Sequence, residues 1–142
     1  MVLKRESISA RLKELDTVIH ELRRYEAISA AELQADLSQR WVIERGLIAA
    51  ATLILDVADH ILVEAYAVHT ATYEESLSEL RDHEVINDSL YQDLRGLGGF
   101  RNILVHLYQE IDTRQLLEGY QKGLQTFPEY ARQILNWLDS QS

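Results

Sequence analysis

Apolar side chains recur along this chain at the period of an α-helix, and that spacing constrains the fold more than any other feature. Leu12, Leu15, Ile19 and Leu22 stand three and four apart near the start, and Leu116, Leu117, Tyr120 and Leu124 repeat the pattern near the end. On a helix such residues form one stripe; on a strand they would fall on both faces. Sustained strand alternation is absent from the sequence, and the single proline, Pro128, leaves most of the chain free of strong helix breakers. The chain therefore reads as all-α, a bundle of four main helices with one additional short helix. With no repeats or linker-like stretches, residues 1–142 read as one domain, long enough to bury a core.

The first helix is predicted over Ser7 to Ser29, with a restart at Ser29, which precedes Glu32 by three as in a capping box. A second, long helix is predicted from about Ser38 to Val68. It is apolar on most sides between Leu47 and Val63, as a central helix covered by neighbours would be. After a connector over His69 to Thr72, Tyr73 to Arg81 reads as a short helix with Glu74 and Glu75 in its first turn. Asp88 to Leu97 reads as another, interrupted by Gly98 and Gly99. Asp112 is the predicted N-cap of the last long helix, which Pro128 should kink or restart before it ends near Trp137 and Leu138.

Composition removes several classes of function. There is no cysteine, so disulfides, thiolate metal sites and thiol catalysis are unavailable, and the usage fits a reducing cytoplasm. Residues Met1 to Arg11 carry charge at Lys4, Arg5, Glu6 and Arg11 and lack an apolar core, so no signal peptide is expected. The longest apolar run, Leu47 to Leu55 with Thr52 inside it, is shorter than the roughly 20 residues a spanning helix needs. A cytoplasmic domain without membrane contact is the expectation. The net charge of −9 argues against broad electrostatic binding to nucleic acid. It leaves room for a small cationic cleft, with a second subunit supplying another set of basic groups, and an acidic surface also attracts basic partners.

One segment concentrates polar chemistry in an apolar setting: Gly98-Gly99-Phe100-Arg101-Asn102-Ile103-Leu104-Val105-His106-Leu107-Tyr108. Its core is Arg-x4-His-x-Tyr. Taken as a helix, it puts Ile103, Leu104 and Leu107 in one arc and spreads Arg101, Asn102, His106 and Tyr108 over the other half, with Val105 among the polar group. Asn102 and His106 are four apart and Arg101 and Tyr108 seven apart, so each pair aligns. A cation, an amide, an imidazole and a phenol on one side resemble a phosphate-handling site. The plainer alternative is a polar helix–helix seam with Arg101 paired to a carboxylate, Asn102 bonded to a neighbouring helix and Tyr108 at a bundle edge.

Several blocks of the sequence resemble the HEPN superfamily, and within it the HepT toxins of HepT/MntA toxin–antitoxin systems. The resemblance rests on Trp41-Val42-Ile43-Glu44-Arg45-Gly46-Leu47, on Leu55-Asp56-Val57-Ala58-Asp59-His60-Ile61 and on Thr72-Tyr73-Glu74-Glu75-Ser76-Leu77. It continues through Gly99-Phe100-Arg101-Asn102 to Tyr108 and the Ile111-Asp112 pair. It implies a four-helix-bundle HEPN domain that cleaves RNA as a homodimer, without metal or cofactor, through Arg-x4-His elements facing each other across a cleft. In that arrangement Arg101 holds the scissile phosphate, His106 moves the proton and Asn102 hydrogen-bonds the phosphate or sugar. Tyr108 matches the tyrosine that a nucleotidyltransferase (MNT-type) antitoxin modifies with adenylyl groups, silencing the toxin. Ile103 departs from the basic residue frequent at that place in the family, which removes one phosphate contact. The alternative within the same family is a non-catalytic HEPN dimer that binds a nucleotidyltransferase partner or a nucleotide.

The chemistry is coherent by itself. Metal-free RNA cleavage needs a base for the ribose 2′-hydroxyl, an acid for the leaving oxygen and a cation for charge building on phosphoryl oxygens. Imidazole titrates near neutral pH and serves as either base or acid. Guanidinium matches phosphate with two parallel donors and stays charged. Other polar residues invite plainer readings. Glu44 and Arg45 read as a buried or interfacial ion pair. Asp56, Asp59 and His60 share helical spacing but lack a convincing further metal ligand, leaving Asp56 or His60 as possible cleft residues. His20, His69 and His83 read as solvated, and Trp41 and Trp137 as core or dimer-contact residues.

Overall fold

The computed structural model describes residues 4–106 and 111–141. Among them the chain is a helical bundle built on three long helices. These are α1 (Arg5–Arg23), α3 (Leu37–Tyr66) and α7 (Thr113–Ser140), with α2 (Ala30–Ala35) a single short turn between the first two. The fourth side of the bundle is made of α4 (Tyr73–Asp82), α5 (Asp88–Leu94) and α6 (Leu97–Val105). The all-α bundle matches the expectation from periodicity; several boundaries do not.

α3 is the hub. Ile43, Leu47, Ala50, Ala51, Ile54, Leu55, Val57, Ala58, Ile61 and Leu62 are all buried, so its apolar surface is covered by neighbours on more than one side. Judged by length and composition alone, α3 could cross a membrane, which the shorter apolar run read from the sequence did not suggest. In the bundle that surface packs against α1, α4, α6 and α7. α1 contributes Ile8, Leu12, Leu15, Ile19 and Leu22, the stripe predicted from spacing. α1 runs antiparallel to α7: Arg5 donates to the Leu138 carbonyl at 2.7 Å, and the Tyr120 hydroxyl donates to the Leu22 carbonyl. α3 and α7 run parallel, tied by the Tyr130 hydroxyl to the Ile54 carbonyl at 2.8 Å and by Trp137 Nε1 to the Tyr66 hydroxyl at 3.1 Å.

Several helix starts follow their side chains. Ser29 and Glu32 form the predicted reciprocal cap, with Glu32 N–H donating to Ser29 Oγ at 3.1 Å and Ser29 N–H to Glu32 Oε1 at 3.2 Å. Asp112 caps α7 as predicted, accepting from the Arg114 N–H at 2.9 Å. The first helix, however, ends at Arg23 and not Ser29, because the chain turns there to bury Ile28. Pro128 does not start a new helix: α7 runs unbroken through it from Thr113 to Ser140. Proline lacks the N–H that would serve the carbonyl four residues back, Leu124. Arg23 Nη2, from the end of α1, donates to that carbonyl at 3.3 Å.

The pair Gly98-Gly99 does not interrupt the chain either; both residues lie inside α6. The break falls at Gly96, whose φ of +85° is left-handed backbone that side-chain-bearing residues rarely adopt. Position 98 takes glycine because α4 comes so close: a Cβ there would sit 2.9 Å from Cβ of Tyr73.

Candidate active site

The buried side of α6 is set by Leu97, Gly98 and Leu104. Arg101 lies between them at helical spacing, three residues before Leu104, so it points toward α3 rather than away from the packed arc. This reverses the sequence expectation, which opposed Arg101 to Ile103 and Leu104. Ile103 instead is 39% exposed and Val105 42%. Arg101 is half-buried, and its Nε donates to Thr52 Oγ1 of α3 at 2.8 Å. Its Cζ lies 5.9 Å from the centre of the Tyr73 ring on α4. Among the described residues no carboxylate comes within ion-pairing distance of Arg101, and no acceptor engages its Nη atoms. Arg101 does make a polar contact between helices, as the seam reading expected, but among the described residues its partner is a hydroxyl and not a carboxylate.

Several other arginines are instead paired with carboxylates. Arg40 sits 3.5 Å from Glu44, and Arg81 is paired to Asp82 and Asp88. Arg132 is held by Glu129, whose carboxyl is thereby pulled down to about 2. A cation held by a hydroxyl and a ring keeps its full charge for a ligand.

Helix α6 ends at Val105, and the expected continuation through His106 does not occur. His106 caps it with extended backbone (φ −85°, ψ 90°), its N–H still donating to the Asn102 carbonyl at 3.1 Å. Asn102 and His106 are both exposed. Tyr108 and Leu107 lie outside the described residues. Beyond them the chain is gripped again: Arg40 of α3 donates to the Ile111 carbonyl and, at 3.1 Å, to Thr113 Oγ1. α3 thus fixes the chain on both sides of His106, through Thr52 before it and Arg40 after it.

These positions can be set beside known proteins. The profile of the family described as ribonuclease HepT-like matches residues 15–134. The chain belongs to that family. Among HepT-like proteins, the tRNA nuclease HepT of Aphanizomenon flos-aquae (strain 2012/KM1/D3) is 30% identical over 131 residues, spanning 92% of this chain and 89% of the relative. The fold is that of a tri-AMPylated Shewanella oneidensis HEPN toxin solved in complex with MNT antitoxin, with a TM-score of 0.80 at 20% identity over 91% of this chain and 96% of that one. It is equally that of YutE, a cytosolic protein of unknown function from Bacillus subtilis. There the TM-score is 0.82 at 17% identity, over 98% and 93% of the two chains.

Within this HepT-like chain, the remaining candidates separate from the Arg101 side. Asp59 accepts from Ser76 Oγ at 2.5 Å and so is spent on joining α3 to α4. Asp56, Asp59 and His60 line a different surface hollow together with Arg11 and Glu64. His60 is half-buried there, and its Nε2 has no hydrogen-bond partner among the described residues. Glu44 pairs with Arg40 and not with Arg45, since adjacent helical residues face different ways. Arg45 is exposed and, among the described residues, without an ion pair. It lines a groove with Trp41, Ile48 and Leu104, and Trp41 is 61% exposed, so it is not a core residue. Trp137 is core, as expected. His20 and His69 are exposed as predicted, but His83 is not simply solvated: its ring stacks 4.3 Å from that of Tyr66 and its Nδ1 lies 3.4 Å from Glu79.

Sequence reasoning missed Thr52 and Tyr73 as neighbours of Arg101. Thr52 stood out only as the single hydroxyl in the longest apolar run, a signal that marks it as unusual without saying what it meets.

Proposed function

We propose that this chain is a metal-independent ribonuclease of the toxin–antitoxin type, acting in the cytoplasm as a homodimer with a composite Arg-x4-His site. The observation that carries this reading is Arg101, anchored through Nε with its outer fork unengaged among the described residues, on the helix from which His106 emerges exposed. His106 takes the proton of a ribose 2′-hydroxyl as its oxygen attacks phosphorus. The P–O5′ bond breaks, and His106 of the second subunit returns a proton to the leaving oxygen. Arg101 neutralises charge on the non-bridging oxygens, the contribution that usually weighs most in such reactions. Asn102, exposed one residue on, hydrogen-bonds the phosphate or sugar.

Assembly as a homodimer is supported by the large apolar side chains exposed on the two helices that build the site, Leu37, Trp41 and Val42 on α3 and Val105 on α6. RNA as substrate is supported by family membership and by the name of the Aphanizomenon relative. Tyr108 is the proposed acceptor of adenylyl groups from an MNT-type nucleotidyltransferase antitoxin, a partner supported by the HEPN toxin complex of the same fold.

The deciding experiment is cleavage of total RNA by unmodified protein in excess EDTA, comparing wild type with His106→Ala. Cleavage that persists in EDTA and is lost in the variant is expected. Equal cleavage by both proteins would remove His106 from the reaction. An inert wild type of verified unmodified mass would favour a non-catalytic dimer that serves the nucleotidyltransferase.

A further inference from the structure

We propose that Thr52 is a positioning residue for the reaction, holding the Arg101 guanidinium so that only its outer edge can meet phosphate. The proposal rests on the ribonuclease reading above and adds to it a residue remote in sequence and a direction of approach. Guanidinium can grip a phosphate in two ways, side-on through Nε and one Nη, or end-on through both Nη atoms. Thr52 Oγ1 accepts from Nε at 2.8 Å, which occupies the side-on edge. End-on contact is what remains, and it fixes where the phosphate sits relative to α3.

The anchor is suited to that task. Thr52 is carried by the central helix α3, beside Ala51 at 1% exposure and close to Ile54 at 0%. Its β-branched side chain is confined to two main rotamers on a helix, and the bond to Arg101 holds the hydroxyl in the one that faces α6. Its hydroxyl bonds the cation without neutralising it, in a chain whose 23 acidic residues supply partners for arginines elsewhere. The Tyr73 ring lies on the guanidinium as a second wall, 5.9 Å from Cζ. Tyr73 is itself set by the close approach of α4 to Gly98. A long flexible side chain, held at its middle nitrogen and flanked by a ring, presents its charge already oriented, which is what preorganised catalysis requires.

The test compares wild type, Thr52→Val, Thr52→Ser, Arg101→Lys and the Arg101→Lys/Thr52→Val double variant. Valine keeps the shape and removes the acceptor; serine keeps the acceptor. In the free protein, the nitrogen-15 NMR signal of Arg101 Nε–H, identified by its loss in Arg101→Lys, should exchange slowly in wild type and Thr52→Ser and rapidly in Thr52→Val. In RNA cleavage, Thr52→Val should lower kcat by about tenfold to a hundredfold with little change in KM, the scale expected of a displaced catalytic group. Thr52→Ser should restore most of it. Lysine has no Nε–H, so Thr52→Val should cost nothing further in the Arg101→Lys background. Full activity in Thr52→Val, or an equal loss in both backgrounds, would overturn the proposal. A wild type that cuts no RNA would instead sink the ribonuclease reading, leaving the exchange measurement to decide whether Thr52 anchors Arg101.

Discussion

Arg101 and Leu104 differ by three residues, and that small interval decides which way the cation faces. On a helix it amounts to about 60° of rotation, so a residue three before a buried leucine shares its side. Replacing Arg101 or His106 with alanine is expected to reduce RNA cleavage by at least about a hundredfold each, the range for losing a charge stabiliser or a general base. The variants should stay folded, as circular dichroism and size-exclusion chromatography would check. Arg101→Lys should recover only part of the loss, because an ammonium keeps the charge and lacks the fork. The identities of these groups were legible in the sequence, since an arginine, an amide and an imidazole in an apolar helix are conspicuous. Their surroundings were not. Thr52 lies 49 residues from Arg101, and no local pattern pairs a hydroxyl in one helix with a guanidinium in another.

At the scale of elements, the glycines of α6 illustrate where pattern reading stops. Two adjacent glycines suggest a break, yet the turn is made by Gly96 and the pair is helical, with glycine at 98 where α4 leaves no room for a side chain. Gly98→Ala is expected to push α4 and α6 apart, lowering both cleavage and melting temperature. Gly99→Ala meets nothing within 4 Å and should stabilise the helix by about 0.5–1 kcal/mol. Thermal unfolding of the two variants side by side separates these outcomes. In α3, Leu47→Ala removes a side chain that is 1% exposed and should cost about 2–5 kcal/mol in denaturant unfolding. The long helices and their buried stripes were readable because burial imposes a period. Ends set by tertiary contact, such as Arg23 and Val105, carry no such period.

For the molecule as a whole, burial of two phenols makes stability depend on alkaline pH. Burial pushes the Tyr120 hydroxyl up to about 12, and Tyr130, fully enclosed, is raised further. A group whose folded value is raised stabilises the fold fully below its unfolded value, near 10, and loses that contribution as pH climbs toward the folded value. Chemical denaturation should therefore show stability falling above about pH 10, and Tyr120→Phe and Tyr130→Phe should each flatten that fall. The net charge of −9 gives no hint of a nucleic-acid surface, since a proposed site built on one arginine would leave the overall charge almost unchanged. The bond from Arg23 to the Leu124 carbonyl bears on how the chain assembles. Its partners are 101 residues apart, and without it the helix around Pro128 carries a solvent-dependent gap in its ladder. The first helix, from its own last residue, supplies the donor that the proline withholds from the last. The ladder of α7 is thus completed by a side chain that lies 101 residues away in sequence, so the seam between the first and last helices is also part of the last helix's own hydrogen bonding.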